Sequence, residues 1–315
     1  VGIVPAEQKE KRTLESVKGS QEYLDAFANM IKTGSDKECR ALLTDLVDGG
    51  SVPTPTVIDN FIATAWERAN LVSRVRRTTI KGTAKYPFEY SATGASVHTE
   101  GAKAPDEEQL VLGTVSVEPE MLKKWITVSD EALDMKSQEF VDYIYDELGH
   151  RIAKAAADIV VAKIAALPQT STATTPYAAL VKLAPSATTM VNAVANLSDE
   201  AVNNVAIMNK LTWADFKSIT TGDGYPLQDP FAGLVVLFNN SLPAYSAASE
   251  DDVYAIVGDL GTGFRANFPN GEEIKIKVDD LSLAEADLVK FVGRKYVALE
   301  AVAPGRFTLI TKPGA

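Results

Sequence analysis

Hydrophobic positions along the chain begin at helical spacing. In "SQEYLDAFANMI", Tyr23, Leu24, Phe27, Met30 and Ile31 fall on one side of a helix. "SDKECRALLTDLVDGG" predicts a second helix, with Ser35 as cap, Glu38 three residues on as its capping-box partner, and Gly49-Gly50 as the stop. Pro53 and Pro55 then forbid regular structure. "VIDNFIATAWERANLV" resumes the helical stripe through Val57, Phe61, Ile62, Ala65, Trp66 and Ala69.

From Val75 the period changes to two. "KYPFEY" sets Tyr86, Phe88 and Tyr90 against Lys85, Pro87 and Glu89, and Pro87 suggests an edge strand or the base of an exposed arm. A long polar stretch follows, within "ASVHTEGAKAPDEEQLVLGTVSVEP", residues 95–119. Alternation returns in "GTVSVEP" and "KKWITVS", so residues 78–128 read as one antiparallel excursion that goes out and comes back. A lone two-stranded ribbon is marginal in water, which makes a neighbouring subunit a sensible support.

"SDEALDM" predicts a short helix capped by Ser129. The longest helix comes next, roughly Gln138 to Leu167. Its stripe runs Phe140, Ile144, Leu148, Ile152, Ala156, Val160 and Ile164, and Pro168 ends it. Residues 169–185 read as a linker or exposed loop. An α/β pattern then appears. A helix spans about Ser186 to Asn196, "NNVAIMN" is a buried strand, "LTWADFKSI" a helix and "LVVLF" another buried strand, which together predict a sheet covered on both faces. The last part is mostly β. "DVYAIVGDLGTGFRANF" reads as a strand interrupted by glycines that mark a bulge or a close backbone approach. Asn270-Gly271 predicts a two-residue hairpin turn before Ile274, Ile276 and Val278.

Composition narrows the function. The net charge is −11, from 42 Asp and Glu against 31 Lys and Arg. That balance argues against an extended phosphate-binding face. The one basic cluster, Arg74, Arg76, Arg77 and Lys81, reads as a solvated or subunit-contact strand edge rather than a nucleic-acid patch. No run approaches the roughly 18 apolar residues of a membrane helix. A single cysteine, Cys39, precludes an internal disulfide and reads as a small buried hydrophobe. His98 and His150 are far apart, so an ordinary zinc site is not expected. His98 belongs to the polar arm, and His150 takes a packed or edge position on the long helix.

No Walker loop, His-Glu-x-x-His or Gly-x-Ser-x-Gly is present, and no catalytic, cofactor-binding or metal-ligating set can be named. The acidic pairs at 250–252 and 278–280 could meet a hard cation but read as solvated. The chain opens on Val1 rather than Met, which suggests proteolytic processing or trimming.

The ordered set of segments resembles the major capsid proteins of tailed bacteriophages, with the Hong Kong 97-like fold. The residues that carry the resemblance run from about position 50 to the C-terminus. They are "VPTPTVIDNFIATAWERANLVSRVR", "TEGAKAPDEEQLVLGTVSVEPEMLKKWITVSDEALDM", the long helix, "YPLQDPFAGLVVLFNNSLP" and "AIVGDLGTGFRANF". "SQEYLDAFANMIKTGSDKECRALLT" resembles the segment that follows the scaffold region in many relatives.

The resemblance implies an α+β fold in four parts. They are an N-terminal arm at 1–56, an extended β-hairpin loop at 78–128, a peripheral domain with a spine helix at 57–77, 129–168 and 263–302, and an axial α/β domain at 169–262 and 303–315. It implies a structural, non-enzymatic subunit without cofactors, forming hexamers and pentamers of an icosahedral shell around double-stranded DNA. The DNA is enclosed without sequence-specific binding, and no membrane is involved. Scaffold segment, maturation protease and portal are the implied assembly partners. The implied location is the virion capsid, assembled in the bacterial host cytoplasm. Candidate inter-subunit contacts are His98, Glu100, Lys103, Asp106 and Glu107 on the loop, Arg74, Arg76 and Arg77 beside it, and Tyr225 and Asp229 in the 221–230 loop.

Some relatives join a loop Lys to an Asn, with a Glu assisting. Here Lys103 would face Asp287 and Arg294, and an Arg cannot accept the proton, so no self-catalysed cross-link is expected. Two other readings stand beside this one. The first is an encapsulin-type compartment shell. The second, of another class, is an α/β enzyme or ligand-binding protein using the 221–230 loop.

Overall fold

The computed structural model describes residues 14–33, 35–43, 52, 71–91, 111–129, 137–219, 229–269, 271, 274–279 and 288–314. The expected helices at 57–69 and after Ser129, the Gly49-Gly50 stop and the polar tip at 95–110 lie outside these residues. Contacts divide the chain into two compact units. One comprises Val1–Trp66, Lys123–Ile152 and Glu272–Lys295, the other Glu67–Leu122, Ala153–Gly271 and Tyr296–Ala315.

In the first unit, helices α1 (Leu14–Lys18), α2 (Gln21–Thr33) and α3 (Lys37–Leu42) form a small cluster. Tyr23, Leu24, Phe27 and Ala28 of α2 are buried, as the helical stripe predicts, and so is Cys39 on α3. The N-cap of α3 is Asp36 rather than Ser35. It makes no side-chain capping bond, because Arg40 holds its carboxylate at 2.5 Å. Glu38 instead accepts from the Asn29 amide at 3.1 Å. Strand β10 (Lys275–Asp279) pairs antiparallel with the first half of β11 (Leu288–Ala301). Leu148 packs against Gly293 of β11, where a side chain would have to displace it.

The spine helix α4 (Ser137–Ala165) runs 29 residues, and Ile144, Leu148, Ile152, Ala156, Val160 and Ile164 are all buried. The stripe is the one read from the sequence. Its residues to Ile152 belong to the first unit and the rest to the second. Strand β4 (Glu120–Ser129) also pairs with β11, so it is not part of the out-and-back ribbon, and Ser129 closes a strand.

The second unit holds a five-stranded sheet in the order β5 (Ala179–Lys182), β12 (Phe307–Thr311), β8 (Val253–Gly258), β6 (Val205–Met208), β7 (Val235–Phe238). β12 is antiparallel to β8 and β8 to β6, while both outer pairs are parallel. The inner strands are buried on both faces, which explains their continuous apolar runs. Each large side chain there contributes about 1.5–3 kcal/mol by burial. Helices α5 (Thr189–Ala195) and α6 (Lys210–Lys217) supply Met190, Ala193 and Phe216 to this core. The Asn209 side chain caps α6 by accepting from the Leu211 N–H at 3.0 Å.

"LVVLF" departs from expectation. β7 is an edge strand, with Val235 and Phe238 each 45% exposed. Its apolar run is partly served by a side contact, because Phe238 meets Trp213 edge-on at 6.0 Å.

The glycine-interrupted segment becomes a corner between sheets. β8 ends at Gly258, one helical turn α7 (Leu260–Gly263) follows, and β9 (Phe264–Asn267) joins a different sheet. A Cβ on Gly258 or Gly263 would run into Arg306 and Phe307, so both glycines do mark a close approach. β9 pairs in parallel with β1 (Arg76–Thr78) and antiparallel with the second half of β11. Asn270 of the expected turn lies outside the described residues, and among these β9 and β10 do not pair with each other. Gly271 has φ 76° and its N–H returns to the Phe268 carbonyl at 3.1 Å, but β9 and β10 each pair with β11 instead.

Candidate functional site

The extended loop enters the second unit as a hairpin. β2 (Ala84–Ser91) pairs antiparallel with β3 (Val111–Val117), in a sheet of their own. At its base, Ala84, Phe88, Val115 and Val117 cluster with Ala298 and Val302. Phe88 lies opposite Gly113 and its ring covers the bare glycine. The Thr114 N–H donates to the Ala173 carbonyl at 2.8 Å, tying the hairpin to the loop after α4. Towards its far end the burial stops: Val111 is exposed, and Leu112 is 56% exposed.

Beside this base sit the arginines. Arg74 closes a 3-10 turn at Val72–Arg74, and β1 then carries Arg76 and Arg77. Arg74 and Arg76 are exposed, as expected for a solvated or contact edge. The structure adds two arginines that the sequence pattern hides. Arg265 on β9 is the in-register partner of Arg76, so two like charges share one face. Burial, and secondarily Arg76, hold its guanidinium below the usual arginine range. Its Nη1 donates to the Gly261 carbonyl at 2.9 Å and to the Phe264 carbonyl at 3.0 Å, and its guanidinium lies 5.9 Å from the Tyr86 ring centre.

Arg306 is the second. Its Nη2 meets Glu200, while Nε and Nη1 are buried and lack a partner among the described residues. Both arginines line an open groove of about 490 Å³ under β2, together with Tyr86, Glu89 and Glu200. Only the corner at Gly258–Gly263 brings positions 200, 265 and 306 together, so no local motif could have shown them.

Asp229 is exposed and paired. Its Oδ1 accepts from Lys217 Nζ at 2.7 Å and from the Phe231 N–H at 3.2 Å. The lysine hydrogen bond first, then the backbone one, hold its carboxyl below the usual range. His98, Glu100, Lys103, Asp106, Glu107 and Tyr225 lie outside the described residues, as does Asp287. Arg294 is on β11 opposite Lys275. His150 is exposed, at an edge of the spine helix rather than packed.

Burial pushes the Cys39 thiol up to about 11, with Glu38 and Asp36 adding to the rise, so it stays protonated. In the acidic run at 250–252, Asp251 pairs with Lys182 at 2.5 Å and Asp252 accepts from the Ser249 N–H. Among the described residues, no group of three His, Cys, Asp or Glu is placed to hold a metal ion. Among them also, no helix is long and apolar enough to cross a membrane.

Residues 49–312 match the family model described as the phage capsid family. Among solved structures, the chain is similar to the capsid of a native GTA particle, at 15% identity and TM-score 0.62, over 78% of this chain and 90% of that one. It is also similar to a chain of Mycobacterium phage Bobi, at 15% identity and TM-score 0.52, over 89% and 99%. A virus-like particle from Pyrococcus furiosus matches at 13% identity and TM-score 0.54, over 80% and 96%. A comparison with curated proteins finds no significant match.

Proposed function

The chain belongs to the phage capsid family and is a structural capsid subunit rather than an enzyme, and from that premise we propose how it builds its shell. Copies form hexamers and pentamers of an icosahedral shell that encloses double-stranded DNA without reading its sequence. The β2–β3 hairpin within the expected 78–128 loop is the lapping arm, and residues 1–56 form a second arm. The segments 57–77, 129–168 and 263–302 make a peripheral domain around the spine helix, and 169–262 with 303–315 make an axial domain.

The observation that supports this reading most is the hairpin itself. Its base is packed while Val111 and Leu112 at the far end are exposed and apolar. Two strands alone do not stabilise such an end, and a neighbouring copy would cover it. The loop residues His98, Glu100, Lys103, Asp106 and Glu107, the edge residues Arg74, Arg76 and Arg77, and Tyr225 and Asp229 are the proposed contacts. The low basic content suits a shell that releases its genome. A scaffold segment, a maturation protease and a portal are the proposed assembly partners, acting in the bacterial cytoplasm.

Electron microscopy of the purified protein tests this. Icosahedral particles, or rings of five or six subunits, are expected. A monodisperse monomer at all concentrations would refute it, and particles filled with an enzyme instead of DNA would turn it towards a compartment shell. A denaturing gel of assembled shells should show monomer only, because Arg294 cannot act as the proton acceptor that a Lys103 cross-link requires.

A further inference from the structure

The groove under β2 is built from donors that lack acceptors. Among the described residues, Arg265 donates only through Nη1, and its Nε and Nη2 remain solvent-accessible donors. Arg306 Nε and Nη1 and the Tyr86 hydroxyl are buried and unpaired. Unmet buried donors are costly, and charged ones more so. The Arg306 side chain is only 11% exposed, and its one counter-charge, Glu200, is 76% exposed, so screening weakens that pair. Arg76 adds a third guanidinium in register with Arg265. Arg265 and Arg306 line the groove with Glu89 and Glu200, and Arg76, beside Arg265 on β1, adds positive charge at its margin in a chain of net charge −11.

We infer that this groove is a receptor for a carboxylate-bearing segment of a second copy of this chain, received by Arg265 with Arg306 and Tyr86 behind it. The inference rests on the shell reading, which places acidic copies side by side. A carboxylate supplies two acceptor oxygens, which matches the geometry of a guanidinium fork. A volume of about 490 Å³ exceeds one carboxylate and suits a short stretch of chain. An acidic surface provides such segments in quantity: 42 of 315 residues are Asp or Glu. The location also fits, because the groove lies at the hairpin base, where a lapping neighbour would pass. The like-charge pair of Arg76 and Arg265 is a cost of the isolated subunit that an inserted carboxylate would relieve.

The test is a photo-cross-linker at the groove rim, Glu89→p-benzoylphenylalanine, in full-length protein assembled into particles. Glu89 is exposed and outside the proposed grip. Irradiated particles should give covalent dimers, with the adduct on a peptide of the second copy that contains Asp or Glu. In the same background, Arg265→Gln or Arg306→Gln should cut the dimer yield about tenfold, the scale of one lost charged hydrogen bond. The cross-linker alone keeps the question answerable if either arginine variant fails to fold. Particles that form without inter-chain adducts would overturn the inference and leave the shell reading intact. Adducts to DNA, or to a peptide without acids, would also overturn it. If the unaltered protein forms no particles, the shell reading itself has failed.

Discussion

Strands β6, β8 and β12 bury nearly every side chain, whereas β3 buries every second one and only towards its base. Both regions lie in the second unit and both are rich in Val. The central strands are flanked by other strands and covered by α5 and α6, so their partners are all within the chain. The hairpin's apolar partners within the chain cluster at its base, at Ala84, Phe88, Val115 and Val117, and Val111 and Leu112 towards the far end stay exposed. A subunit that were complete alone would have no reason to extend a ribbon beyond its own core. On the proposed shell reading, the contrast separates residues that make the subunit from residues left for a neighbouring copy.

Mutation should reveal the two classes. The largest effect is expected in the central core. Phe216 is fully buried and meets Phe231 edge-on at 5.4 Å. Phe216→Ala should cost about 3–5 kcal/mol, read by chemical denaturation of the isolated subunit. A loss below about 1 kcal/mol would mean the cluster is not the core of this unit.

Next comes the hairpin base. Gly113→Val would thrust a side chain into the Phe88 ring, which lies against the glycine. Overpacking of this kind costs about 1–3 kcal/mol. Amide exchange should speed up at β2 and β3 and stay unchanged in β6, β8 and β12. Faster exchange in the central strands would show that the hairpin and the sheet unfold as one, contradicting the comparison.

The hairpin's far end should separate folding from assembly. Leu112→Ser should shift subunit stability by no more than about 0.5 kcal/mol, because the side chain is exposed. If a neighbour covers Leu112, assembly should need roughly tenfold more protein, followed by light scattering. Unchanged assembly would remove Leu112 from the shell contacts.

How much of this was legible in the sequence follows the same divide. Period-two alternation locates Val115 and Val117, and the four-residue stripe locates Ile144 through Ile164, because both patterns are local. Sheet order is not local. "LVVLF" is as apolar as "VAIM", yet one is an edge and the other central, because only β6 lies between two strands. The pairing of β9 and β10 shows the same limit: both described strands pair with the long β11, which comes later in the chain. Asp259 gives no signal at all in sequence. Its buried carboxylate accepts from the N–H groups of Val202, Asn203, Gly261 and Thr262, and so fixes the corner that assembles the arginine groove. Arg265 and Arg306 were missed because charge clustering along the chain cannot register residues 41 positions apart that meet only through that corner.

The smallest expected effect concerns Asp229, where surface pairing and shell contact can be told apart by pH. Its pKa is lowered by the Lys217 hydrogen bond and then by the Phe231 N–H. A carboxylate depressed in the folded state stabilises that state above its unfolded pKa, near 4, and the contribution disappears as pH falls through the folded value. The pair is exposed, so the folding effect is slight at neutral pH and screened by salt. Asp229→Asn should therefore leave the neutral-pH melting temperature of the subunit almost unchanged, and flatten its decline below about pH 4. If Asp229 also meets a neighbouring copy, the variant should weaken assembly at neutral pH, where the isolated subunit barely notices the change. Equal assembly of both proteins would confine Asp229 to its bond with Lys217 and take the described part of the 221–230 loop out of the shell contacts.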